Sequence, residues 1–342
     1  MKVKYPIDDH VIINNLNNEY GMQVDSITFL PVGDSAYSYK VYDYNGERYF
    51  LKLFDHLHDR QRQSIERLEY YLLLTWKMYH QGIFKNITYP IKNQNSEYKT
   101  TFNNITIVLF NFIEGETLAE AYPFSKEIVK KVVKSMAAIH QIIDYIDPAH
   151  PLIETFDISF QFQLKKCITL LENTVTTENH IKLVLQERVL AEKEQIHSLL
   201  NLIRELQNVV AKDNKNNVLC HGDLWGGNLI CHENELYVID WESAIMAPPE
   251  YDLFNFIGKS FEIFFAAYQK QMGETVTLNA NLLRFYSYRH HLRNLTNWLM
   301  NILYRNTEEA QNENDLDMIL NHCMNRWDSI EENVRAVHSI MK

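Results

Sequence analysis

The chain has 342 residues, 46% hydrophobic and 23% charged, an ordinary globular composition with length enough for one large domain or two lobes. No stretch approaches the roughly 20 apolar residues of a membrane span, and the opening MKVKYPIDDH lacks a secretory apolar core; a cytoplasmic protein with no membrane partner is expected. A formal charge of -11 argues against a nucleic-acid binder and suits small cationic ligands.

IDDHVIINNLNNEY (residues 7–20) carries apolar residues at helical spacing, with Asp8 or Asp9 at its start and Gly21 at its end. ITFLPV, AYSYKVYDY and RYFLKLF then read as strands, punctuated by turns at Gly33-Asp34 and Asn45-Gly46. Lys52 sits inside the third strand, either as a solvent-facing edge residue or as a phosphate ligand kept charged by an acid. The helix over residues 60–80 supplies two acids, Glu66 and Glu69.

ITIVLFNFIEGETL (residues 105–118) is a strand entering a Glu-Gly turn. Ser125 is a good N-cap for a helix running to about residue 143. Amphipathic helices follow over residues 159–172 and 178–211, with a polar patch, KDNKNN, at residues 212–217. Helices over residues 252–272, 279–305 and 312–340 close the chain. Cys167, Cys220, Cys231 and Cys323 form no C-x-x-C pair, so reduced thiols are expected.

Residues 218–252 carry the chemistry. His221, Asp223 and Asn228 fill H-x-D-x-x-x-x-N, the catalytic-loop spacing of phosphoryl transfer. A turn at Glu233-Asn234 and a strand over residues 235–239 then deliver Asp240. Asp223 is the candidate acceptor of a hydroxyl proton, and Asn228 with Asp240 the candidate ligands of Mg2+, a hard cation suited to oxygen donors. The chain has neither a G-x-G-x-x-G loop nor a Walker sequence.

HGDLWGGNLI followed by VIDWE resembles the Brenner-type motif of the aminoglycoside phosphotransferase superfamily, which also holds choline, homoserine, methylthioribose and fructosamine kinases. It departs from protein kinases in having Gly222 in place of Arg and Trp241-Glu242 in place of Phe-Gly. IDWESAIMAPPEYDLFNFIG and FYSYRHHLRNLTNWL are similar to the spectinomycin phosphotransferase branch. The resemblance implies an α+β, two-lobed, protein-kinase-like fold: a small N-terminal antiparallel-sheet lobe (residues 1–112) that binds nucleotide and a larger, mainly helical C-terminal lobe (residues 113–342) that binds substrate. It implies ATP contacts at Ser35, Lys52 and the backbone of Asn111 and Ile113, with Glu69 preferred over Glu66 as the acid that orients Lys52. HGDLWGGN resembles the fructosamine kinase motif as well.

The expected activity is ATP- and Mg2+-dependent O-phosphorylation of a cationic aminoglycoside or aminocyclitol such as spectinomycin, an antibiotic-resistance reaction. A metabolic small-molecule kinase and a non-catalytic kinase-like protein are the alternatives. Asp223, Trp225, Glu242 and Asp252 are the candidate substrate walls. Trp225 also fits packing within the loop, Glu242 a pair with Arg289 or Arg293, and Asp252 a helix cap. A monomer or a homodimer is expected.

Overall fold

The computed structural model describes residues 1–33, 35–142, 152–173, 179–212, 216–258, 260–273 and 276–341. Asp34, residues 143 and 178 at expected helix ends, and residues 213–215 of the polar patch lie outside the described residues. The chain forms two compact units, each discontinuous in sequence: Met1–Leu152 with His221–Ile245, and Ile153–Cys220 with Met246–Lys342.

The first unit opens with α1 (Asp9–Tyr20). It starts where the Asp8 carboxylate accepts the His10 N–H and ends at Gly21 in the left-handed region. β1 (Val24–Leu30), β2 (Tyr37–Asp43) and β3 (Arg48–Asp55) follow as antiparallel neighbours. After α2 (Asp59–His80), β4 (Thr100–Phe102) and β5 (Ile105–Asn111) complete a sheet of order β1-β2-β3-β5-β4. Alternation sends Tyr39, Val41, Leu51, Leu53, Ile107 and Leu109 to one face, where they pack with Ile12 and Leu16 of α1 in a buried core. Lys52, between two of these leucines, therefore points to the other face, flanked on the ladder by Ser38 and Val108. α3 (Lys126–His140) begins at Ser125, whose hydroxyl accepts the Ile128 N–H.

The second unit takes over with α4 (Gln161–Asn173), α5 (His180–Ala191), α6 (Lys193–Val210) and β6 (Val218–Cys220). The single helix expected over residues 178–211 is thus two, broken at Glu192 with φ -96° and ψ 8°. The buried stripe Ile181, Leu185, Val189, Ile196 keeps helical spacing through the break, and no Gly or Pro marks it.

The chain returns to the first unit as the hairpin β7 (Leu229–His232) and β8 (Glu235–Val238). Its two turn residues, Glu233 and Asn234, both have positive φ, the geometry a two-residue hairpin requires.

The remainder of the second unit is β9 (Ile245–Ala247), which pairs with β6, then α7 (Glu250–Leu253), α8 (Phe261–Met272), α9 (Ala280–Met300), α10 (Glu309–Ile319) and α11 (Ile330–Ile340). The helices expected over residues 252–272, 279–305 and 312–340 are each interrupted. Gly258, at φ 153°, precedes α8, a wide turn Asn301–Arg305 follows α9, and turns at Leu320–Met324 and Trp327–Ser329 separate α10 from α11. α9 is the hub, packing against α4, α6, α7, α10 and α11. It carries Arg289, which donates to both oxygens of Glu154; both side chains are buried. The rings of Tyr251, Phe285 and Tyr286 surround the guanidinium at 4.9–5.3 Å. The antiparallel sheet followed by a mainly helical remainder is the α+β architecture expected. Among the described residues, no helix is long and apolar enough to cross a membrane.

Candidate active site

The residues of the H-x-D-x-x-x-x-N loop are held by backbone contacts that their types dictate. Gly222 has φ 83°, and a Cβ there would lie 2.2 Å from the Ser243 carbonyl oxygen, so only glycine fits. Gly226 meets the Leu118 carbonyl oxygen almost as closely, at 2.4 Å from its would-be Cβ, and donates its N–H to the Tyr122 hydroxyl at 2.9 Å. His221 is fully buried and stitches two segments. Its Nδ1 accepts the Asp223 N–H at 3.3 Å, which leaves Nε2 to donate to the Ile239 carbonyl at 2.9 Å. The ring stands edge-on to Trp241 at 4.9 Å.

Asn228 reaches back to Asp223. Its amide nitrogen donates to the Asp223 carbonyl at 2.8 Å and to Oδ2 at 2.9 Å. Two acceptors on the nitrogen fix the amide's orientation, so its oxygen is turned away from Asp223. The main chain links the loop to the hairpin as well: the Ile239 N–H donates to the Asn228 carbonyl at 3.0 Å.

Asp240 ends this run in the left-handed region, at φ 62° and ψ 67°, a conformation that Asp tolerates better than most residues. The chain turns there, and the Ala244 N–H closes the turn on the Trp241 carbonyl at 3.0 Å. Lys52 donates to Asp240 Oδ1 at 2.8 Å and to Glu242 Oε1 at 2.6 Å. Burial lowers the Lys52 pKa, but the Asp240 and Glu242 carboxylates outweigh it and hold the amine above its ordinary value. Burial raises the Asp240 pKa, and Lys52 in turn outweighs that and lowers it. Both groups are therefore charged near neutrality. Tyr71 of α2 lies in the field of the same three groups, and burial pushes its phenol up. Its hydroxyl has no hydrogen-bond partner among the described residues.

The remaining candidates fall in different places. The pairing of Lys52 with Glu69 is corrected: Glu69 is exposed and bonded to Lys99, and Glu66 is exposed. What α2 turns toward the site is Arg67. Its Nε donates to the Glu242 carbonyl at 2.7 Å and its Nη2 to the Ala244 carbonyl at 3.1 Å. Arg289, one partner left open for Glu242, is taken by Glu154.

Ser35 is half-buried in the β1–β2 loop. Asn111 ends β5 with its side-chain oxygen accepting the Tyr89 N–H at 2.7 Å. The next residue, Phe112, has Lys40 over its ring at 4.4 Å, while Arg48 pairs with Glu114 at 2.8 Å; these cations brace the segment around Ile113. Trp225 is 41% exposed, with its ring laid across Gly227. Asp252 is fully buried within the second unit, inside the turn that starts at Pro249. It is therefore neither a surface wall nor the residue at a helix cap. Arg67, Tyr122 and the two-sided role of His221 leave no mark in the sequence pattern.

Oxygen donors for a hard cation are present in one unit. They are the amide oxygen of buried Asn228, on the side of the amide opposite its bonds to Asp223, and the Asp240 carboxylate, whose side chain is 35% exposed. That donor set fits Mg2+.

The sequence profile of the phosphotransferase enzyme family matches residues 26–277. No curated protein matches the chain. Among solved structures, spectinomycin phosphotransferase in complex with ADP and spectinomycin is similar with a TM-score of 0.76 and 20% identity, over 98% of this chain and 99% of that one. An amicoumacin kinase in complex with AMP-PNP and Ca2+ is similar with a TM-score of 0.60 and 15% identity, over 92% and 93%. The Plasmodium vivax ethanolamine kinase gives 0.52 and 17%, over 90% and 84%. The match over most of its length, together with the loop and hairpin that carry Asp223, Asn228 and Asp240, means that this chain belongs to the phosphotransferase enzyme family.

Proposed function

We propose that the chain is an ATP-dependent O-phosphotransferase for a small cationic acceptor, a spectinomycin-like aminocyclitol first. The observation that carries this reading is the pair of contacts in one compact unit: Asn228 on Asp223, and Lys52 on Asp240. In this reading residues 1–112 bind nucleotide, with the braced segment at Asn111 and Ile113 meeting the base and Ser35 and Lys52 meeting phosphate oxygens. Residues 113–342 bind the acceptor.

Asp223 accepts the proton of the acceptor hydroxyl, its carboxylate held at Oδ2 by Asn228. Lys52, kept charged by its two carboxylates, orients the phosphates. Mg2+ held by Asn228 and Asp240 would neutralise charge on the nucleotide. Most of the rate enhancement would then come from positioning and charge rather than covalent chemistry. Trp225, exposed two residues from Asp223, offers an indole face to an ammonium group. Support for a cationic acceptor comes from the net charge of -11 and from the structural likeness to a spectinomycin phosphotransferase. The likeness to an ethanolamine kinase favours an amino alcohol as the second reading.

The test is purified protein with Mg–ATP and separate acceptors: spectinomycin, an aminoglycoside, ethanolamine, choline and an uncharged sugar. ADP release and product mass are the readouts. One close charge pair is worth about 4 kcal/mol at an effective dielectric near 20, so amines should be preferred and their KM should rise with salt. Phosphorylation of the sugar in preference to every amine would reject the cationic acceptor.

A further inference from the structure

Granting the phosphotransferase reading above, we infer that Glu242 is the positioning residue for Lys52, the part a helix acid was expected to play. α2 sends neither of its candidate acids to the lysine, since Glu66 and Glu69 are exposed and Glu69 is bonded to Lys99. Glu242 reaches it directly at 2.6 Å, with side chains only 13% and 10% exposed.

Glu242 is also the better fixed of the two carboxylates on Lys52. Its neighbour Trp241 is buried, with the indole N–H on the Val238 carbonyl at 3.1 Å. Its own carbonyl is gripped by Arg67, which spans to Ala244 and ties the whole turn to α2. Asp240, by contrast, has a side chain 35% exposed.

The two carboxylates therefore have separable duties. Asp240 bonds Lys52 and is also the candidate cation ligand, so a cation and its phosphates would compete with Lys52 for that carboxylate. A buried ammonium stripped of every partner is strongly disfavoured. Glu242 removes that obstacle, because Lys52 keeps one buried carboxylate while it exchanges Asp240 for phosphate oxygens. The helix contributes through Arg67 on the backbone of the turn, so α2 still governs where the lysine points, through one intermediate residue.

A double-mutant cycle of Lys52→Met and Glu242→Gln tests this. Calorimetric Kd for Mg–ATP, thermal unfolding without nucleotide, and steady-state kinetics are measured on wild type, both single variants and the double variant. Glu242→Gln alone is expected to weaken Mg–ATP at least tenfold and to lower kcat, with KM for the acceptor within twofold. Once Lys52→Met is present, Glu242→Gln should add less than twofold to Kd, and the unfolding temperatures should be non-additive in the same sense. Glu242→Asp, which keeps the charge, should recover part of the loss. Multiplicative losses in the double variant, or unchanged Mg–ATP affinity in Glu242→Gln, overturn the assignment. Wild-type protein that binds no Mg–ATP would instead overturn the phosphotransferase reading, and this inference with it.

Discussion

Gly222→Ala is a small perturbation that should disable the site, one methyl group added to the backbone of the loop. Two penalties add. A non-glycine residue at φ 83° costs about 1–3 kcal/mol in backbone strain. The new Cβ would also sit 2.2 Å from the Ser243 carbonyl oxygen and 2.9 Å from its carbonyl carbon. These are backbone atoms that no rotamer change can clear, so the catalytic loop and the Asp240–Glu242 turn must separate by about 1 Å, at a further cost of roughly 1–3 kcal/mol. The sum, about 2–6 kcal/mol, should appear as a fall in unfolding temperature of roughly 2–4 °C per kcal/mol for domains of this general size. The kinetic loss should be larger than the stability loss implies, because a displacement of about 1 Å at a reacting group costs on the order of 100-fold in rate. Scanning calorimetry and acceptor turnover on the same preparation give both numbers. A Gly222→Ala protein that unfolds within a degree of wild type and turns over within twofold would show that the loop does not depend on this close approach.

Two further outcomes follow from contacts already described. Arg67→Met removes two charge-assisted hydrogen bonds to the turn, each worth about 1.5–3 kcal/mol when buried and less where half-exposed; about 2 kcal/mol in urea unfolding and at least a tenfold drop in kcat are expected, and an unchanged kcat would detach the turn from α2. Glu154→Gln leaves Arg289 without its buried counter-ion and should cost about 3–5 kcal/mol at neutral pH. Burial raises the Glu154 pKa but Arg289 outweighs it and lowers it below the ordinary 4.5. The stabilisation is therefore complete above pH 4.5 and lost as pH falls through the depressed value. The gap between wild type and variant in urea titrations should narrow only on the acid side of that window, and a gap that narrows above it would refute the pair.

Much of the fold was legible because local rules and tertiary structure agree. Asp8 and Gly21 bracket α1, Ser125 opens α3, and the alternation in RYFLKLF puts Lys52 on the opposite face from Leu51 and Leu53. Strands of three residues such as β4 are too short for a period to register. The break at Glu192 is hidden because Val189 and Ile196 lie seven residues apart, two helical turns, on either side of it. The Lys52 partners were illegible for a related reason. On α2 a shift of one residue rotates a side chain by about 100°, so Glu66, Arg67 and Glu69 cannot be ranked without knowing the helix's phase. Glu242 follows a turn at which Asp240 adopts the left-handed conformation, which a strand pattern does not foretell. The burial of Asp252 is likewise a matter of packing within the second unit.

The discontinuity of the two units bears on how such a chain can change over time. Lys52, Asp223, Asn228, Asp240 and Glu242 all belong to a unit whose two pieces are separated by residues 153–220. No stretch cut at residue 152 encodes both the lysine and its carboxylates. The intervening segment, for its part, begins and ends outside the hydrogen bonds that assemble the loop and hairpin. Its helices are anchored by α4 and α6 on α9 and by Glu154 on Arg289, so the surfaces free to lengthen or change are those turned away from α9, while the loop and hairpin stay as they are. In a library of chimaeras, segments exchanged at junctions near residues 152 and 221 should be tolerated where they keep Glu154 and the faces of α4 and α6 that pack on α9.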